Sequence, residues 1–157
     1  MRESLFRGKR KDNGKWVEGC LYYFHCESKI ENEIRSFIIL PDALIDNENE
    51  FEVIPETVGE WTGMSDKNGV KIFEGDIVQE EDMLSVCRFL CCVGSYAFVP
   101  IEMYKEDEEE LYLTSNFRKL YEIYEDSGTD SFFENDVPWK FVTVISNIHD
   151  EPKGDTK

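Results

Sequence analysis

The amino-acid sequence predicts a mainly β protein, α+β only in the sense of carrying few helices, built from β-hairpins and a small barrel-like part. Three observations carry this expectation. Short runs rich in β-branched and aromatic residues recur along the 157 residues. Asn-Gly pairs stand between two pairs of such runs. A 3.6-residue apolar period occurs in a single segment. With 13% aromatic residues, the chain has the side chains to bury a core.

Leu5-Phe6 opens the first hairpin, and Asp12-Asn13-Gly14 supplies its turn, because Asn and Gly tolerate the positive φ that two-residue hairpin turns require. Trp16 to Phe24 is the return strand. A polar connection, Glu27 to Glu33, leads to the strand Ile34–Leu40, which Pro41 stops. A loop over Asp46–Glu50 precedes the short strand Phe51–Ile54, which ends at Pro55. Gly75-Asp76-Ile77-Val78 suits the first strand of an SH3-like barrel, the Gly allowing a sharp approach and the Asp binding backbone in the turn. Two strands follow, Ser85–Cys92 and Tyr96–Ile101, broken at Gly94-Ser95. Leu113, Phe117, Leu120, Tyr121 and Tyr124 share one helical face, so a short amphipathic helix is expected near 115–126. Thr114 or Ser115 would cap its start, and Ser127-Gly128 would end it. Trp139–Ile148 is the closing strand. The whole reads as one domain over 1–157, with possible subdomains at about 1–60 and 61–150 and a frayed tail at 151–157.

Charge excludes more than it assigns. The net charge is −17. Duplex binding draws its affinity from neutralised phosphates, so DNA or RNA is disfavoured as a general partner. The distribution is uneven: residues 1–15 hold six bases and two acids, 27–56 nine acids and two bases, and 102–136 twelve acids and three bases. Glu106-Asp107-Glu108-Glu109-Glu110 reads as a solvated surface loop, since like charges repel. Its sharper alternative is a docking face for a basic partner. The basic arm, Arg7, Lys9, Arg10, Lys11 and Lys15, offers anion or self-association contacts. It meets phosphate or, more simply, the chain's own acidic stretches in the same or a neighbouring copy. No run approaches the ~18 apolar residues of a membrane span, and no apolar stretch follows Met1-Arg2-Glu3-Ser4, so neither membrane nor export is expected.

Cys20, Cys26, Cys87, Cys91 and Cys92 make an odd count without an export signal, so reduced, half-buried strand thiols in a cytoplasm are expected. A zinc site with His25 fails on spacing: no C-x-x-C pair exists, and adjacent Cys91-Cys92 would point to opposite faces of a strand. A cysteine nucleophile would need a positioned base, and His25 and His149 are the only histidines. No cofactor, metal or catalytic residue is expected.

The centre repeats the opening. Phe6-Arg7-Gly8, Asp12-Asn13-Gly14, Trp16 and Glu18-Gly19 are echoed by Trp61-Thr62-Gly63, Asp66-Lys67-Asn68-Gly69, Ile72-Phe73 and Glu74-Gly75. Two copies are too few for a solenoid and read as two similar hairpins. Asp66-Lys67-Asn68-Gly69 lacks the later ligands of a calcium loop and reads as a turn.

These same segments resemble the YopX-like proteins of phages and prophages. The likeness is carried by the opening Met-Arg-Glu-x-x-Phe-Arg-Gly-Lys-Arg with Asn-Gly-x-Trp-Val-Glu-Gly, by Pro55 to Gly63 and Asp66 to Val78, and by the ending Val144 to Pro152. The chain departs from the pattern at Ser146, where Gly is expected, and at His149, where an aromatic is expected. The resemblance implies a mainly β fold and brings no activity or active site. It marks Trp61, Gly63, Asp66, Asn68, Gly69, Phe73, Glu74, Gly75 and Asp76 as candidate binding positions. Residues of these types also shape hairpins, and that architectural role is the first reading.

Three functions follow as expectations. The first is a non-catalytic protein-interaction module, a homo-oligomer with an unidentified host or phage protein partner. The second is a nucleic-acid module using the SH3-like part and the basic arm, which is fold analogy alone. The third is a metal-dependent hydrolase in which Glu74 and Asp76 divide acid and base roles or hold magnesium; a turn Glu and a strand-entry Asp explain that pair more simply.

Overall fold

The computed structural model describes residues 4–27, 32–41, 48–120 and 141–150. The chain is mainly β, as expected, and its described strands form two antiparallel sheets. It divides into two compact units, Met1–Trp61 and Thr62–Lys157.

The N-terminal unit contains β1 (Phe6–Lys9), β2 (Trp16–Glu27), β3 (Asn32–Ile39) and β4 (Glu50–Val53). A 3₁₀ turn at Pro55–Thr57 leads into β5 (Gly59–Ser65), whose first residues lie beside β1. The order is β4-β3-β2-β1-β5, and β6 (Lys71–Phe73) continues the sheet beyond β5. The β1–β2 turn differs from the expected two-residue form. Arg10 N–H donates to Lys15 O at 2.9 Å across the intervening residues. Gly14 has φ +69°, and Asn13 has no positive φ. The Asn13 carboxamide acts instead as an acceptor, Oδ1 taking the Lys15 N–H at 2.9 Å.

The sheet curls until β4 meets the end of β1. Arg10 bridges Val53, Lys11 N–H donates to Glu52 O at 2.9 Å, and Ile54 N–H donates to Lys9 O at 2.9 Å. Inside the curl lie Ile38 and Val53, both buried. So tight a curl needs residues without side chains. A Cβ on Gly8 would stand 3.1 Å from Val53 Cβ, and one on Gly19 would stand 1.9 Å from Ile39 O. The opposite face carries aromatic and charged side chains. Tyr22 stacks on Phe37 with ring centroids 5.3 Å apart, and the Arg7 guanidinium lies 4.6 Å from the Trp16 ring centre.

The C-terminal unit takes the rest of β5, then β6 (Lys71–Phe73), β7 (Asp76–Glu80), β8 (Met83–Leu90), β9 (Ser95–Pro100), α1 (Glu108–Thr114), β10 (Arg118–Lys119) and β11 (Thr143–Asn147). β7 to β10 form a meander, and β11 returns to pair with β7, giving the order β10-β9-β8-β7-β11. That order is open, so the barrel expected here is not closed among the described residues. One face of the sheet packs Ile72, Val78, Cys87, Tyr96, Phe98, Leu120 and Val142 together. The other packs Leu90, Ala97 and Val99 against Leu111 of α1.

Of the helix expected near 115–126, the described part is helical only at Leu120. Ser115 has φ +53° and ends α1, and Arg118–Lys119 pair with Phe98 and Ala97 as a strand. Leu120 is buried and helical; residues 121–126 lie outside the described residues, as does the tail 151–157. The acidic run is the start of a helix rather than a loop. Asp107 caps it, Oδ1 accepting the Glu110 N–H at 2.9 Å. Glu108, Glu109 and Glu110 form the first turn, where the positive end of the helix dipole offsets their mutual repulsion. Leu113, a member of the expected apolar stripe, is 71% exposed.

Candidate functional site

The second hairpin collects most of the motif residues, and its geometry starts from two buried carboxylates. Asp66 follows the last residue of β5 and has no exposed surface. Its Oδ1 accepts the N–H groups of Asn68 at 2.8 Å and Val70 at 2.9 Å, closing the turn in which Gly69 has φ +80°. Its Oδ2 accepts the Val144 N–H of β11 at 2.9 Å. A local Asx turn thus also ties the closing strand.

Asp76 opens β7 and is likewise fully buried. Its Oδ2 accepts the Phe73 N–H at 2.8 Å, which is the turn contact expected of a Gly-Asp entry. Its Oδ1 accepts Asn147 Nδ2 at 3.0 Å. Asn147 Oδ1 in turn accepts the His149 N–H at 2.9 Å, and Ile148 N–H donates to Gly75 O at 2.9 Å. Gly75 has φ +90°, and a Cβ there would sit 3.2 Å from Asn147 Nδ2. The Asp76–Asn147 contact joins residues 71 positions apart; Asn147 lies inside the motif-bearing ending, yet nothing local in the sequence marks its role.

The remaining motif positions scatter. Phe73 is buried, Trp61 is half-buried on β5, and Asn68, Gly63 and Gly69 are exposed. Glu74 is half-buried, and its Oε1 accepts the Phe89 N–H at 3.3 Å. His25 lies on β2 of the N-terminal unit, whereas Glu74 and Asp76 belong to the C-terminal unit. Among the described residues no group of three or more His, Cys, Asp or Glu is gathered to hold a metal ion.

The basic arm meets the chain's own acids within one copy. Lys11 Nζ lies 3.1 Å from Glu52 Oε1, and Arg35 Nε donates to the same oxygen at 3.0 Å. Arg10 pairs locally with Asp12 and places its guanidinium 4.0 Å from the Phe51 ring centre. The Arg35 hydrogen bond, joined by Lys11, holds the Glu52 carboxyl down at about 2. Burial, together with the hydrogen bond to Glu50, pushes the Tyr22 phenol up to about 12.

The cysteines do not follow the half-buried strand pattern. Cys87 on β8 is fully buried, while Cys20, Cys91 and Cys92 are exposed, the last two in the β8–β9 turn rather than on a strand. The side chain of Cys26 lies outside the described residues. Burial, with the charges of Asp76 and Glu74 behind it, raises the Cys87 thiol well above its usual value, and thiolate is the reactive form. Iodoacetamide at mildly alkaline pH is therefore expected to alkylate the exposed Cys20 and Cys91 ahead of Cys92 and Cys87. Cys92 should follow more slowly, because desolvation and Glu108 raise its thiol as well. Cys87 should stay unmodified until denaturant is added. Peptide mass mapping reads the order, and early alkylation of Cys87 in the native protein would contradict it.

A cleft of about 490 Å³ opens elsewhere in the C-terminal unit. Val78, Phe98 and Val142 line it from the core, and Met83, 59% exposed, stands among its lining residues. Among the described residues its charged lining is Glu80, Asp82, Glu102 and Arg118. Arg118 is matched by Glu80 at 2.6 Å. Nothing in the sequence marks this site, because the segments that form it are short and meet only through the strand order. No described helix is long and apolar enough to cross a membrane.

Compared with known proteins, residues 5–153 match the family model described as YopX protein. No curated protein matches the chain.

Proposed function

The chain belongs to the YopX protein family, whose model spans nearly all of it, and from that premise we propose that it is a phage-type, non-catalytic protein-interaction module. The observation that carries this reading is the occupation of the motif carboxylates. All four oxygens of Asp66 and Asp76 accept hydrogen bonds from backbone or Asn147 donors, in fully buried positions. Groups bonded in this way hold the fold, and buried carboxylates so engaged are poor candidates for moving substrate protons. The motif glycines and aromatics act as architecture on this reading, and recognition falls to surfaces such as the cleft. A second copy of the same chain is the alternative partner, although Lys11 and Arg10 of the basic arm already pair with Glu52 and Asp12 within one copy.

The test is capture from host lysate at low salt, followed by elution at high salt. A protein retained in the first step and released in the second is expected, because charge-guided contacts weaken with screening. A clean capture at low salt, or a low-salt gel shift with DNA in place of any protein partner, would overturn the reading.

A further inference from the structure

The cleft of the C-terminal unit is sized and charged for one kind of occupant. We infer that it takes an extended segment of a partner protein in which a Lys or Arg stands beside a large apolar side chain. The inference rests on the interaction reading above and names the partner's chemistry at one place. Volume is the first argument: about 490 Å³ lies within the ~300–1,000 Å³ of ordinary ligand sites and holds a pair of side chains. The lining is the second. Val78, Phe98 and Val142 give an apolar wall that rewards burial of a Leu- or Phe-sized group. Met83 adds an unbranched, adaptable side chain.

Charge selects the neighbour of that apolar group. Among the described residues the cleft has three carboxylates, Glu80, Asp82 and Glu102, and one guanidinium, Arg118. Arg118 and Glu80 already satisfy each other. Asp82 and Glu102 are left as the exposed charges. A Lys or Arg can lay its stem along the apolar wall and keep its charged head at these two carboxylates. An acidic segment would meet repulsion there, and a purely apolar one would leave the charges unanswered.

The experiment uses three short synthetic peptides, alternating Leu with Lys, Leu with Glu, or Ser with Lys. Binding is read by fluorescence anisotropy and by the methyl NMR signal of Met83 in the full chain. The Leu/Lys peptide is expected to bind and shift the Met83 signal, and the other two to do neither. Charge reversal by the pair D82K/E102K should weaken Leu/Lys binding by about tenfold or more. Both positions are exposed, so the backbone NMR spectrum should stay that of the parent; Met83→Ala supplies a second variant that weakens the apolar side alone. Failure of the Leu/Lys peptide to bind, equal binding of Ser/Lys, or indifference to D82K/E102K would each overturn the inference. If D82K/E102K still captures the lysate partner, the interaction reading stands and the cleft inference falls. Loss of lysate capture in the parent protein sinks the broader reading instead.

Discussion

Asp66→Ala is expected to destabilise the C-terminal unit by about 3–4 kcal/mol, a large part of the ~5–15 kcal/mol that holds a typical domain folded. The carboxylate serves three N–H donors, at Asn68, Val70 and Val144. Asn68 and Val70 are exposed residues in the turn, where water can replace part of what is lost. Val144 is different: it sits in β11, packed against the core cluster, and its N–H is left without an acceptor. That single donor accounts for about 1–3 kcal/mol, and the two turn donors for the remainder. Asp66→Asn separates the contributions. Its amide oxygen can keep the turn, but the amide nitrogen then faces the Val144 N–H, donor against donor. A loss of about 2 kcal/mol is expected for it. Urea midpoints of the two variants and the parent measure both values. Hydrogen exchange adds position, since the Val144 amide should lose protection in either variant. A parent-like midpoint in Asp66→Ala would remove the argument that this carboxylate pins the closing strand.

Local chemistry made one layer of this fold legible. Gly14 and Gly69 stand where Asn-Gly pairs mark turns, and both adopt the left-handed conformation that only glycine takes without strain. Gly75-Asp76 was readable as a strand entry, because an Asp after a turn finds backbone donors close by. What could not be read were contacts made across the chain. The Asp76–Asn147 bond and the Arg10–Val53 bridge join segments with no local signal of their partner. The non-helical stretch before Leu120 has a different cause. Apolar spacing over Leu113, Phe117 and Leu120 obeys the helical period, but the left-handed Ser115 ends the helix between them. The acidic run repels itself as a loop, yet three of its charges become favourable at a helix start with Asp107 as cap. Among the site residues, Asp66 and Asp76 were visible as motif members, whereas Asp82, Met83, Glu102 and Arg118 carried no pattern. They meet because β7, β8, β9 and β10 lie side by side.

Gly19→Ala tests the curl of the N-terminal unit and is expected to cost about 3–5 kcal/mol, at the upper end for a single substitution. Gly19 has no positive φ, so conformational strain is not the reason. Space is the reason: the added methyl carbon would lie 1.9 Å from the carbonyl oxygen of Ile39 and 3.0 Å from Ile38 Cγ2. Ile39 O is backbone on the neighbouring strand, so no rotamer change relieves the overlap. β2 and β3 must part, or the register from Cys20–Ile39 onward must distort. Either response also disturbs Ile38, whose side chain fills the curl beneath Gly8. Gly14→Ala is the control. It places a methyl in open space at φ +69°, so it carries only the left-handed backbone cost of about 1–2 kcal/mol. The two variants therefore separate crowding from conformational strain within one hairpin. Urea unfolding followed by tryptophan emission gives both midpoints, Trp16 reporting on this unit. Equal losses in the two variants would mean that the strands can separate cheaply at Gly19. The tight curl would then not be what demands a glycine there.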